Sequence, residues 1–386
     1  MKRKLFSLAL VSAASVAFAQ QDVFALTGKT STNIVFSDFR TIDVNHGVSG
    51  AAIFSAESSP NVFSQQQNRM ITEVKQSFNN SQAVSMASLA YDGLNGKLVY
   101  IPMFSSNVYL LDQKSKDITL IESNVVKTTS CDLASHITRM TTGYDRNIYA
   151  MSNSGSQLIQ ISRKDGKYTL TDLGAVKDDS ANGENSIKMM TKGFGGDMVA
   201  DADNNLMVFS ASGNVFKVSP KLMTTKFLGK VSGLPANYSL NGAAVNSKGN
   251  VVIGSARGES MYEIAMDNLQ AKPIAGNLKP VIYDLASSYF LGEKLNLITA
   301  SGVDIYPTKV EEDFINIRLD DPKITGNVSV EIYDFAGIKV MQKNLPSIEK
   351  NRTQRIELNN LKSGVYVVSV VGSNKKVILN KKISVN

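Results

Sequence analysis

Of 386 residues, one is cysteine, two are histidine and none is tryptophan. A single cysteine rules out a disulfide framework. With His46 and His136 as the only imidazoles, the chain also lacks the ligands of a Cys/His zinc site. A Cys–His nucleophile would need Cys131 and His136 at one site with an orienting third group, and a buried cysteine beside a loop histidine is the commoner arrangement. No Gly-x-Ser-x-Gly elbow, phosphate-binding glycine loop or His-Glu-x-x-His stretch occurs. No metal or cofactor is expected on these grounds. Apolar runs are short, and none approaches the 18 residues that a membrane-crossing helix needs. What is present, 43% hydrophobic and 19% charged residues, describes an ordered globular chain, and its length allows two or three domains.

The net charge of +7 and the isoelectric point near 9.1 invite a nucleic-acid reading, so the charge has to be located. Lys2, Arg3 and Lys4 stand at the start, and from Tyr306 onward 13 basic residues face 9 acidic ones. The intervening body is balanced. Phosphate neutralisation needs clustered Lys and Arg, and the body holds no such cluster, which argues against nucleic acid as a partner.

The basic start leads into an apolar run from Leu5 to Val16 and then into Ala17-Phe18-Ala19. Charged, apolar and small-x-small regions in that order read as a secretory signal over residues 1–19, with cleavage after Ala19 leaving Gln20 first.

The middle, residues 20–304, repeats itself. Four segments superpose as strand, Asp/Asn/Gly turn, strand, Ser/Gly turn, strand, Lys/Asp turn, strand. They begin at Met86, Met140, Asp197 and Asn241. Second strands start at Leu98, Ile148, Leu206 and Val251, with a fifth unit at Tyr283-Asp284-Leu285-Ala286 and Leu295. A spacing of about 45–58 residues with four short strands per unit predicts a β-propeller. Residues 22–80 are less regular: Asn33–Phe36 and Ala51–Phe54 read as strands and Arg69–Ser77 as a short helix. Counted as one degenerate blade plus strands that complete the last blade and close the ring, they bring the expected number to about six, with five or seven as alternatives. The fold class is thus all-β, a propeller of about six four-stranded blades followed by a small antiparallel β-sandwich of about seven strands.

That sandwich is expected over residues 305–386, where strands alternate as in Asn327–Tyr333. Four elements stand in order: Ile305-Tyr306-Pro307, Asp334-x-x-Gly337-x-x-Val340, Leu358-x-x-Leu361-x-x-Gly364-x-Tyr366-x-Val368, and Lys382-Ile383-Ser384-Val385. This segment resembles the type A C-terminal sorting domain of the type IX secretion system of Bacteroidetes-type Gram-negative bacteria. One departure is Thr308-Lys309, where the family usually has Asn-Pro. The resemblance implies export across both membranes to the surface or the medium, recognition by the outer-membrane secretion machinery, and removal of the domain. Asp179-Ser180-Ala181 similarly resembles the short site at which such bacteria O-glycosylate, with Ser180 as acceptor.

Inside the repeats, Arg139, Asp197, Asn241 and Asp284 stand at comparable unit starts, with Ser85 in the first unit. A mixed ring of this kind suits a central funnel that binds a ligand. Asp201-Ala202-Asp203 has calcium-loop spacing but lacks the sixth-position Gly and the twelfth-position acid, so it reads as a turn. The function expected is a secreted or surface β-propeller that binds an extracellular glycan or protein. A calcium-dependent propeller hydrolase or lactonase is the alternative.

Overall fold

The computed structural model describes residues 23–385 apart from 30–34, 45–46, 56–61, 72–85, 103–104, 130, 191–192, 275, 277–278, 293–302, 311–312, 320–323, 325, 335, 346–352, 359–360 and 374. Ala17, Ala19 and Gln20, at the expected signal cleavage, lie outside the described residues, as do His46, Ser85 and Leu295.

The second strands explain the architecture. Ile148–Ser152 and Leu206–Ser210 are buried at every position, so neither alternates as a half-exposed strand would. Their successive side chains enter two different cores. Ile148 and Ala150 pack with the unit before, and Tyr149 and Met151 with the unit after. Leu206 and Val208 likewise face backward while Met207 and Phe209 face forward. A sheet buried on both faces requires a neighbour on each side.

Five sheets meet that requirement. The first runs outward from Met86–Asp92 through Lys97–Pro102, Val108–Asp112 and Ile118–Ile121, and the second from Ile137–Thr142 to Lys167–Gly174. The third runs from Gly196–Ala200 to Thr224–Lys230, and the fourth from Gly242–Val245 to Gln270–Pro273. The fifth starts with Ile282–Ala286 and takes its other strands, Val23–Lys29, Val35–Asp43 and Val48–Ser55, from the beginning of the chain. Each innermost strand adjoins those of two neighbours, and the order first, second, third, fourth, fifth returns to the first.

Residues 22–80 therefore form no sixth sheet among the described residues. They are divided between the fifth sheet and the outer edge of the first, where Val62–Ser64 pairs parallel to Ile118–Ile121 and Arg69–Ile71 follows antiparallel. The helix expected from Arg69 begins instead as this strand, because pairing to Val62–Ser64 offers its backbone a ladder.

Turn chemistry recurs at each end of the sheets. Between first and second strands, the Asp92, Asp145, Asp201 and Asn246 side chains accept backbone N–H groups two to four residues on. At the opposite end, Ser152, Ser210 and Ser255 hydroxyls accept N–H groups of the following turn. Gly242 and Gly254 mark a close approach between the fourth and fifth sheets: a Cβ on either would come within 2.8 Å of the Ile282 side chain.

From Val303 a second core begins. A three-stranded sheet (Val303–Tyr306, Phe314–Leu319, Thr353–Glu357) and a five-stranded one (Lys309–Val310, Val377–Val385, Gly364–Val371, Val328–Tyr333, Lys339–Leu345) share one cluster of buried side chains. Eight strands are present where about seven were expected. The alternation of Val328–Tyr333 places Val328, Val330 and Ile332 in that core.

Asp201 accepts from Asp203 N, Asn205 N and Asn205 Nδ2 at 2.7–3.1 Å, a turn-closing role. Asp201→Ala is expected to lower unfolding free energy by about 2 kcal/mol. Asp201→Asn should restore most of it. Urea melts should give the same loss in calcium and in EDTA, and a loss confined to calcium buffer would overturn the turn assignment.

Candidate functional site

The innermost strands carry the expected candidates, and their register settles which are equivalent. Ser88, Arg139, Asp197, Ala243 and Asp284 each lie opposite the matching residue of the second strand, respectively Ile101, Met151, Phe209, Ile253 and Leu26. The first, second and fifth sheets have a register irregularity just before this position. A count along the sequence therefore slips, and Ser88 takes the place assigned to Ser85. Asn241 stands two residues ahead of Ala243, and its Oδ1 accepts from Ala256 N within its own sheet. It does not join the others.

Arg139, Asp197 and Asp284 are fully buried. The Arg139 guanidinium donates to Gly195 O from Nε and Nη2, and from Nη1 to Ser152 O and Asn153 O, at 2.9–3.2 Å. Asp197 Oδ1 accepts from Met198 N at 2.7 Å, and Oδ2 accepts from Ala243 N at 2.6 Å and Leu285 N at 3.4 Å. One arginine thus ties the second sheet to the approach of the third, and one carboxyl ties the third to the fourth and fifth. Gly196, just before Asp197, has φ +86°, and a Cβ there would sit 2.0 Å from Phe209 O.

Burial controls the electrostatics. It pushes Asp197 up to about 8 against the pull of its backbone donors. It raises Asp284 well above the usual carboxylate range, and the neighbouring Asp197 raises it further. Neither Asp284 oxygen makes a hydrogen bond of ordinary geometry. Burial also lowers Arg139 to about 10, with Asp197 opposing the change. The arrangement is one guanidinium beside two carboxyl groups that burial shifts upward. A calcium centre would need several oxygen ligands converging at 2.3–2.6 Å without a competing cation. Among the described residues, no group of three or more His, Cys, Asp or Glu is placed to hold a metal.

The sorting motif is distributed through the second core. Val385 is buried and pairs with Gly364 and Val310. Asp334 Oδ1 accepts from Ile338 N at 2.8 Å across a turn in which Gly337 has φ +80°. Tyr366 Oη donates to Lys362 O at 2.7 Å, and Lys382 is exposed. Tyr306 precedes Pro307 across a cis bond and is buried against the five-sheet body, its ring 5.6 Å from that of Tyr144. Arg146 lies over both Phe290 (4.7 Å) and Tyr306 (4.8 Å) and donates to Tyr306 Oη. Ser180 is exposed on the connection between second and third sheets, in a short 3₁₀ turn capped by Asp179.

Two polar groupings went unforeseen. Asn153 accepts from Thr138 Oγ1 and Gly195 N, bracing the loop that receives Arg139. Asp38 accepts from Thr27 and from both Arg40 Nε and Nη2. The alternation Asp38-x-Arg40 on one strand was the available signal for the second. Nothing in the sequence marks the first.

Residues 304–386 match the family described as secretion system C-terminal sorting domain. This segment directs export through the type IX pathway to the cell surface or out of the cell. Among the described residues no helix is long and apolar enough to cross a membrane. No curated protein matches the chain. Solved structures of similar shape include a protein of unknown function from Bacteroides thetaiotaomicron, 14% identical over 69% of this chain and 65% of that one, with TM-score 0.38. PorZ of Porphyromonas gingivalis, an essential surface component of its type IX secretion system, is 14% identical over 94% of this chain and 51% of its own, with TM-score 0.29. A catalytically inactive virginiamycin B lyase from Staphylococcus aureus with quinupristin is 9% identical over 95% and 96%, with TM-score 0.33. This chain thus spans about half the length of PorZ. Likenesses this distant carry no argument about ligand or activity.

Folded-state pKa values above the unfolded carboxylate value of about 3.9 mean that the native protein holds protons the unfolded chain releases. The axial pair therefore contributes a stability that declines as pH rises from about 4 toward 8. Each such proton accounts for about 1.4 kcal/mol per pH unit. Asp284→Asn should flatten this decline and leave the variant more stable than the parent at pH 8. Urea midpoints at pH 5, 6.5 and 8 would show this, and parallel curves would refute it.

Proposed function

We propose that the five sheets are the blades of a five-bladed β-propeller and that residues 304–386 form a β-sandwich. The protein is a secreted or surface-displayed binding module whose ligand, an extracellular glycan or protein, is engaged at one particular end of the propeller. The observation that carries this reading is the unequal use of the two ends. In a four-strand meander the turn after the first strand and the turn after the third lie at one end, and Tyr306 packs there on Tyr144 and Arg146. The other end carries the long connections 122–136, 175–195 and 231–241. These display Leu133 and Met189 with 52% and 77% of their surface exposed, and the Ser180 hydroxyl.

The axial trio supports this placement. Arg139, Asp197 and Asp284 are fully buried and out of reach of a large ligand, and the hydrogen bonds of Arg139 and Asp197 run between sheets, so they serve as a lock on blade order. The funnel expected from the sequence is filled by its own side chains, and the binding surface is moved outward to the loops. A secreted binder of this kind requires no resident cofactor.

Deleting residues 304–386 tests the export half of the proposal. The truncated chain should accumulate in the periplasm, folded, while the full chain reaches the surface or medium. Cell fractionation with an antibody to the propeller distinguishes the two, and truncated protein in the medium would sink the reading.

A further inference from the structure

At the seam between the five-sheet body and the sorting domain lies a cleft of about 240 Å³. Arg146 and Asn147 enter it from the second sheet's first turn, Asn95 from the first sheet's, Arg163 and Tyr168 from the second sheet's outer strands, and Arg355 from the sorting domain. Three arginines thus line it, two from the body and one from the sorting domain. Residue separation along the chain hides this in the sequence, where the body looks electrically neutral.

The opposing charge is already engaged. Asp92, the cleft's carboxylate, accepts from Leu94 N, Asn95 N, Asn95 Nδ2 and Tyr168 Oη. Arg355 Nε donates to Glu357 on the half-exposed surface, and its guanidinium lies 3.6 Å from the centre of the Phe314 ring. Neither Arg146 nor Arg163 pairs with a carboxylate among the described residues. Arg163 rests over Tyr168 at 5.9 Å, a contact that uses the ring face and leaves the N–H edge available. Arg146 Nε is buried and donates to nothing. An unmet guanidinium N–H removed from water is unfavourable, and an anion would satisfy it.

We infer that this seam is a binding site for one small anionic group, a carboxylate or a phosphate, held jointly by Arg146, Arg163 and Arg355. Planar guanidinium forks match both anions. The volume falls below the roughly 300–1,000 Å³ of pockets for larger organic ligands, which limits the occupant to one anionic group and at most one attached sugar ring. Asn95 and Asn147 supply neutral donors and acceptors beside it. Because Arg355 belongs to the sorting domain, the complete site exists only while the two domains are joined. The site is separate from the loop end to which the binding function is assigned, so either can fail without the other.

Isothermal titration of the full chain with inorganic phosphate, glucose 6-phosphate, glucuronate and neutral glucose tests this. At least one of the three anions should bind and glucose should not; phosphate or glucuronate alone identifies the preferred group. Arg163→Gln and Arg355→Gln, each folded as judged by an unchanged melting temperature without ligand, should weaken binding by about tenfold or more. Arg146 is left intact because it also braces Tyr306. Absence of binding by every anion, or an affinity in both variants unchanged from that of the parent chain, would overturn the proposal.

Discussion

Burial of the second strands on both faces is the constraint from which the rest follows. Leu98 and Tyr100 face the core shared with the fifth sheet, while Val99 and Ile101 face the one shared with the second. The same division holds for Ala25 against Phe24 and Leu26 in the fifth sheet. No sheet of this kind is satisfied alone or at the end of a stack, because an end sheet would leave one apolar face in water. A cyclic order leaves no end. It also sets the composition of the fourth sheet, where Gly242, Ala244 and Gly254 are small on the face that Ile282 and Leu285 approach from the fifth.

The cycle then dictates what can stand at its centre. Five first strands converge, and their inward residues are an arginine, two aspartates, a serine and an alanine. Buried charge is costly unless it is paired and hydrogen-bonded. Arg139 meets that cost by donating to carbonyls at the mouth, and Asp197 by collecting amides from two other sheets. Asp284 has no comparable set of donors, and retaining a proton is the way a buried carboxyl avoids an unpaired charge. The site is therefore specific in geometry.

Much of the strand pattern was legible because it is local. Runs such as Leu206–Phe209, the Asp and Asn of each first turn, and the Val328–Tyr333 alternation all report on neighbours within a few residues. The tail motifs were legible for the same reason, being short and ordered. What escaped was long-range. Strands from residues 22–80 were expected to complete the last unit, and Val23–Lys29 does pair with Ile282–Ala286, but nothing local says that Val35–Asp43 and Val48–Ser55 join the same sheet rather than a unit of their own. The extra residue in the first strand of the first sheet shifted the alignment there, so that Ser88 takes the place assigned to Ser85, while in the fourth sheet Ala243 rather than Asn241 stands at the equivalent register. Arg146, Arg163 and Arg355 carried no signal at all, since their proximity exists only after two domains meet.

The fifth sheet places Val23–Lys29 between Ile282–Ala286 and Val35–Asp43. The earliest-synthesised described strand and the last strand of the body are thus direct partners. A closure spanning most of the body gives the fold a high contact order, so the final step is slow compared with formation of any single meander. Until it occurs, the apolar faces around Val23, Ala25 and Leu285 stay uncovered. Whatever holds the beginning of the chain also holds this step, so a polypeptide tethered by its first residues would wait with four sheets assembled and the fifth open.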